Sequence, residues 1–324
     1  MARIAIAIIA TIGALALAGC APTASDDDGR LRVVASTNVY GSIAESIGGD
    51  LVSVTSIISS AAQDPHSYEA SAQDQLAISK ADLVIENGGG YDPFIDTLLS
   101  ASSTDVPVVS ATDSSGLLEG DDHAHEEGEE EHAEEAAGEE HTEDDGHNHI
   151  EGFNEHVWYS FHGMEHVAEE IAHQLSEIDA DNAAAYEANL AAFVGEIEAL
   201  EATAEALHTQ TEGLNVAITE PVPLYLLEAA GFTNATPEEF SEAIEEGTDV
   251  APLVLQQTLA LFTEGSVSLL AYNSQTAGAE TEQVRAAAES NNVPVVEFTE
   301  TLPDGADYIS WMTDNLSAIS AALN

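Results

Sequence analysis

Residues 164–210, MEHVAEEIAHQLSEIDADNAAAYEANLAAFVGEIEALEATAEALHTQ, carry apolar side chains at helical spacing with abundant Ala, Leu and Glu. Asp179 and Asp181 mark a break and a new helix start, which predicts one helix of about 25 residues after them. Short β-branched runs alternate with helical stretches on both sides of this segment. Before it, LRVVAST (31–37), LVSVTSIIS (51–59), ADLVIENGG (81–89) and VPVVSAT (107–113) read as strands, with helices at NVYGSIAESIGGD and QDQLAISKA. After it, LNVAITE (214–220), SVSLLAYN (266–273) and VPVVEFT (293–299) read as strands. Helices are expected at LYLLEAAG, PLVLQQTLALFTEG, EQVRAAAESNN and DYISWMTDNLSAISAAL. Alternation of this kind argues for βαβ units and parallel sheets. The expected fold is therefore α/β, with two lobes, each a parallel sheet flanked by helices, joined by one long rigid helix. Ligands of open α/β sheets bind at the carboxyl ends of the strands, so the site is expected in the cleft between the lobes.

Two segments stand apart from this rhythm. At the start, Arg3 precedes the apolar run IAIAIIATIGALALA, which ends at Leu17-Ala18-Gly19-Cys20. The run is short for a spanning helix and has the make-up of a signal peptide, and its end resembles the lipobox of bacterial lipoproteins. Residues 1–19 are expected to be the signal peptide. Cys20 is expected to carry a lipid anchor, with 20–30 as a polar linker. As the single cysteine, Cys20 excludes intrachain disulfides and multi-Cys metal sites. The second segment, 119–150, holds six of the twelve histidines (His123, His125, His132, His141, His147 and His149) among Asp and Glu residues. It has no apolar periodicity and cannot bury a core, so a disordered loop is expected. The other boundaries follow: 31–118 for the first lobe, 151–180 for its end, 181–210 for the connecting helix and 211–324 for the second lobe. A net charge of −55, with only five Lys or Arg, argues against nucleic acid and anionic membrane surfaces as partners.

Four short stretches place metal-competent side chains in loops, most of them near strand ends: Asp64-Pro65-His66-Ser67-Tyr68-Glu69, Asn154-Glu155-His156-Val157-Trp158, Ile218-Thr219-Glu220-Pro221 and Pro303-Asp304-Gly305-Ala306-Asp307-Tyr308. Each has a plainer reading. A lone loop histidine is more often a surface residue, Glu220 could charge a helix N-terminus, and Asp304 or Asp307 could cap the last helix. Their joint placement, two stretches in each half, favours a shared site. Two imidazoles and two carboxylates suit a divalent ion such as Zn²⁺ or Mn²⁺.

On these residues the chain resembles the metal-binding lipoproteins of the zinc/manganese ABC-importer family, from Leu31 to the C-terminus with the insert as the interruption. DPHSYE matches that family's D-P-H-x-[YF]-[ED] motif. EHVWYS resembles its D-P-H-x-W-L-D pattern, with Asn154-Glu155 in place of the flanking D-P. ITEPVPLYLLEAAGF fits its second-lobe ligand segment, and DGADYISWMTDNL its Y-x-x-[MW]-M-like helix. The resemblance implies His66, His156, Glu220 and Asp307 as metal ligands, with Asp304 as the alternative to Asp307. It also implies a monomeric, extracytoplasmic, non-enzymatic receptor that delivers Zn²⁺ to a membrane permease driven by an ATPase. In that family a His-rich acidic loop is typical of zinc receptors, so the six insert histidines are expected to be weak accessory sites; Mn²⁺ is the alternative cargo.

Other readings are a surface zinc-buffering or cell-adhesion protein, and a zinc hydrolase using Glu69 or Glu155 as general base. His162, His166 and His173 fall on one helix face, but the spacing is not H-E-x-x-H, and a surface or packing role is expected for them.

Overall fold

The computed structural model describes residues 29–63, 65–66, 68–102, 104–119, 150 and 152–323. Strand β1 (Leu31–Thr37) is buried from Val33 to Thr37, the pattern of a strand covered by helices on both faces. Helix α1 (Asn38–Gly48), β2 (Val52–Ile58), α2 (Ala72–Ile78), β3 (Leu83–Glu86), α3 (Phe94–Ala101), β4 (Val108–Ser110) and α4 (Ala111–Ser114) complete the first run of elements. All pairings in its sheet are parallel, in the order β2-β1-β3-β4. The run 107–113, expected as a strand throughout, stops at Ser110. The Ser110 hydroxyl accepts from the Asp113 amide at 3.3 Å and turns the chain into α4.

Helix α5 (Phe161–Ile178) is followed by a short 3₁₀ turn over Ala180–Asn182 and then by α6 (Ala183–Thr211). At a rise of about 1.5 Å per residue, α6 is roughly 43 Å long. Its buried residues Phe193, Ile197, Leu200, Ala204 and Leu207 recur every three or four positions, a stripe along one face. The second lobe continues with β5 (Asn215–Ile218), α7 (Leu224–Ala229), β6 (Thr233–Asn234), α8 (Glu238–Glu245), α9 (Pro252–Thr263), β7 (Leu269–Asn273), α10 (Ala279–Ser290), β8 (Val295–Phe298) and α11 (Tyr308–Ala322). Its sheet, also parallel, runs β6-β5-β7-β8, the order of the first sheet repeated.

Neither β6 nor α8 is expected from the sequence. In α8 only Phe240, Ala243 and Ile244 are apolar, too few for a periodic signal.

One apolar cluster reaches from β1 (Val33, Ala35) through α6 (Phe193, Leu200) to β5 (Val216, Ile218) and α11 (Trp311, Met312). The lobes therefore share a core through the connecting helix, which fixes their carboxyl-end loops relative to one another. Phe193 stands at this junction, its ring 6.0 Å from that of Tyr308. Phe193→Ala is expected to cost about 3–5 kcal/mol of unfolding free energy, read from the midpoint and slope of a urea titration. A loss below about 1 kcal/mol would place this contact outside the stabilising core.

Candidate metal centre

The loops after β2, β5 and β8, and the segment leading into the 3₁₀ turn Val157–Tyr159, converge between the lobes. They bring donor atoms of His66, His156 and Glu300 within 4.8 Å of one another. Glu220 joins them through Asn273, the last residue of β7, whose Nδ2 donates both to Glu220 Oε2 and, at 2.8 Å, to Glu300 Oε1. Asn273 is held by two further bonds: its amide N donates to Thr219 Oγ1 at 2.8 Å, and its Oδ1 accepts from the Gln275 amide at 3.0 Å. The backbone N of Glu300 donates to Gln275 Oε1 at 2.7 Å.

His156 is held in one orientation by its neighbour Asn154. Asn154 Oδ1 accepts from the His156 amide at 3.2 Å and faces Nδ1 at 2.7 Å. The other end of that amide, Nδ2, donates to Pro221 O at 3.1 Å, which fixes which atom is the oxygen. Nδ1 therefore carries the proton, and the Nε2 lone pair is left for a cation. Tyr91 packs edge-on against His66 at 4.8 Å and His156 at 5.7 Å, and its hydroxyl donates to Glu300 Oε2 at 3.2 Å. Burial and the charge of Glu300 push the Tyr91 phenol well above its ordinary range, so it stays a donor. Behind it, Asn87 Nδ2 donates to Glu155 O at 3.0 Å, while its Oδ1 accepts from Tyr40 and its amide donates to Asp92 Oδ2 at 2.7 Å.

Two more carboxylates enter from positions the sequence did not single out as ligands. Glu155 Oε1 lies 3.9 Å from His66 Nδ1, and Glu245 Oε1 lies 3.7 Å from His156 Nδ1. Burial first, then the charges of Glu155, Glu220 and Glu300, push Glu245 up to about 9. Arg32 is engaged by Asp82, and Arg285 by Glu289 and Glu297, away from the cleft. A buried concentration of carboxylates beside two imidazoles is a donor set that could hold a divalent cation.

Three of the four expected ligands, His66, His156 and Glu220, are thus brought together. Asp307 is not with them. It is an exposed N-cap of α11, its Oδ1 accepting from the Ser310 amide at 2.8 Å, a bond that holds its carboxyl below the usual range. Asp304 is exposed as well. The acidic residue at the cleft is Glu300, two residues past the end of β8, as Glu220 is two past the end of β5. That shared offset is the sequence signal for Glu300, whereas the helix motif at 308–312 points to the capping Asp307. Glu69 is exposed. His162 and His173 are exposed on α5, and His166 Nε2 meets His162 Nε2 at 3.3 Å. Cys20 and the six insert histidines lie outside the described residues.

A second acidic group lies beneath the site. Burial first, then Asp92, Asp96 and Asp113, push Glu86 up to about 8, while burial pushes Asp92 up to about 6. A carboxyl whose folded value is raised gives stability that is complete below its unfolded value and lost as pH rises through the folded one. The metal-free chain is therefore expected to melt lower at about pH 9 than at about pH 6, and Glu86→Gln to reduce that fall, in calorimetric scans. An equal fall in both proteins would mean that Glu86 is already ionised at the lower pH.

Against known proteins, the chain is 28% identical over 333 residues to the manganese ABC transporter substrate-binding lipoprotein ScaA of Streptococcus gordonii, covering 98% of this chain and 97% of that protein. It is 29% identical over 280 residues to the manganese-binding lipoprotein MntA of Halalkalibacterium halodurans, covering 83% of each. Among solved structures, the fold matches the periplasmic zinc-binding protein TroA of Treponema pallidum with a TM-score of 0.69 at 17% identity, over 91% of this chain and 99% of that one. It also matches FpvC of Pseudomonas aeruginosa in complex with Mn²⁺, with a TM-score of 0.67 at 22% identity, over 91% and 98%. The family model of the periplasmic component A of zinc-uptake complexes, ZnuA, spans residues 33–322, and the chain belongs to that family, one of solute-binding receptors rather than enzymes.

Proposed function

We propose that the chain is the extracytoplasmic metal receptor of an ABC importer, held at the membrane through Cys20. Its cleft carries one divalent transition-metal ion on His66, His156, Glu220 and Glu300 and passes it to a separate permease driven by an ATPase. The observation that carries this reading is the convergence of the Asn154-oriented imidazole of His156, His66 and the buried Glu300, with Glu220 tied to Glu300 by Asn273. Relatives named as substrate-binding lipoproteins support the importer and the anchor. Among the described residues no helix is long and apolar enough to cross a membrane, which fits a permease on another chain.

Mn²⁺ is the cargo favoured by the cleft. Carboxylate oxygens suit hard ions, and Glu155 and Glu245 add oxygens beside the four donors. The manganese-binding names of several relatives point the same way. Zn²⁺ is the second reading. It rests on the histidine-rich insert and on the usual order of affinities, in which Zn²⁺ exceeds Mn²⁺ at a given N/O site.

Titration of the metal-free chain is expected to show one tight site that survives removal of 119–149. Glu300→Ala is expected to weaken that site by at least about tenfold. Asp307→Ala is expected to leave the affinity unchanged and to cost about 1 kcal/mol of stability as a lost cap. Tight binding that follows Asp307 and ignores Glu300 would contradict the ligand set.

A further inference from the structure

Helix α8 ends at Glu245 and carries it from the second lobe to the two histidines of the first. Its Oε1 is buried and makes no hydrogen bond, although it lies 3.7 Å from His156 Nδ1. With donor atoms of His66 and Glu155 it forms a second triad within 4.8 Å, and His66 is common to this triad and to that of His156 and Glu300. The two triads share His66 and together offer five donor residues, one more than a tetrahedral ion takes, and Glu220 beside Glu300 makes a sixth.

We propose that Glu245 is the specificity-determining residue of the cleft, supplying an oxygen to a six-coordinate ion of the Mn²⁺ class and nothing to a four-coordinate Zn²⁺ ion. The inference rests on the receptor reading above. A tetrahedral ion is saturated by His66, His156, Glu220 and Glu300, and removing a fifth donor costs it little. A six-coordinate ion has two further positions to fill, and a carboxylate fills one of them with charge as well as a lone pair. Position agrees with this role. The side chains of Glu245 and His66 are 16% and 15% exposed, whereas those of Glu155 and His156 are 5% and 1% exposed. Glu245 thus stands at the more open edge of the site, where an added ligand completes a shell built from the inside.

Glu245→Gln keeps the shape of the side chain and removes its charge. With free metal set by a chelating buffer, so that the tight site alone is read on the full chain, its Mn²⁺ dissociation constant is expected to rise at least about tenfold and its Zn²⁺ constant by less than about threefold. Retained Zn²⁺ binding shows that the cleft has folded. Should the variant fail to fold, Glu245→Asp, which shortens the reach by one methylene, is read by the same ratio. Equal weakening of both ions, greater weakening of Zn²⁺, or no change in either overturns the proposal. A wild-type chain that holds neither ion in the cleft refutes instead the receptor reading beneath it.

Discussion

Repulsion between buried carboxylates is the constraint around which the two lobes are organised. Glu155, Glu220 and Glu300 are buried, and Glu245 nearly so, at the junction of the lobes. Like charges in a region of low polarity are costly unless they are neutralised or hydrogen-bonded. Neutral donors do part of this work, with Asn273 between Glu220 and Glu300 and Tyr91 on the other oxygen of Glu300. Protonation does another part, most plainly at Glu245. A divalent cation in the cleft would do all of it at once, and the same repulsion would add to its binding energy.

Such a site needs a frame that does not relax away from it. His66, Glu220 and Glu300 sit on segments after the parallel strands β2, β5 and β8, and the strands repeat one order, β2-β1-β3-β4 and β6-β5-β7-β8. The shared apolar cluster through α6 ties the two sheets to one rod. Bonds across the cleft add to it: Asn154 to Pro221, Tyr225 to Asn154, Tyr159 to Thr299 and Asn38 to Leu302. These contacts hold the side chains of His66, His156, Glu155, Glu220, Glu245 and Glu300 near one another.

Much of this was legible in the sequence. The long helix, the alternation of strands and helices, and the loops bearing His66, His156 and Glu220 all follow from periodicity and from residue types near strand ends. Glu300 and Glu245 did not. Glu300 stands in a loop with Thr299 and Thr301, where nothing local separates a ligand from a surface carboxylate, and a capping aspartate near the last helix competed for the part. Glu245 belongs to an eight-residue helix with a weak apolar stripe, in a chain where acidic residues are common everywhere. The abundance of Asp and Glu hides the few that are buried, and burial is a property of the packed fold.

The histidine-rich insert enters the chain before His156 and lies outside the described residues; among the described residues, His66, His156 and Glu300 converge in the cleft. An anomalous diffraction map of the chain loaded with Mn²⁺, with a second map for Zn²⁺, tests the central claim most directly. The account predicts, for each metal, one strong peak in contact with His66, His156, Glu220 and Glu300. A strongest peak beside Asp304 and Asp307, or among the insert histidines with the cleft empty, would contradict it.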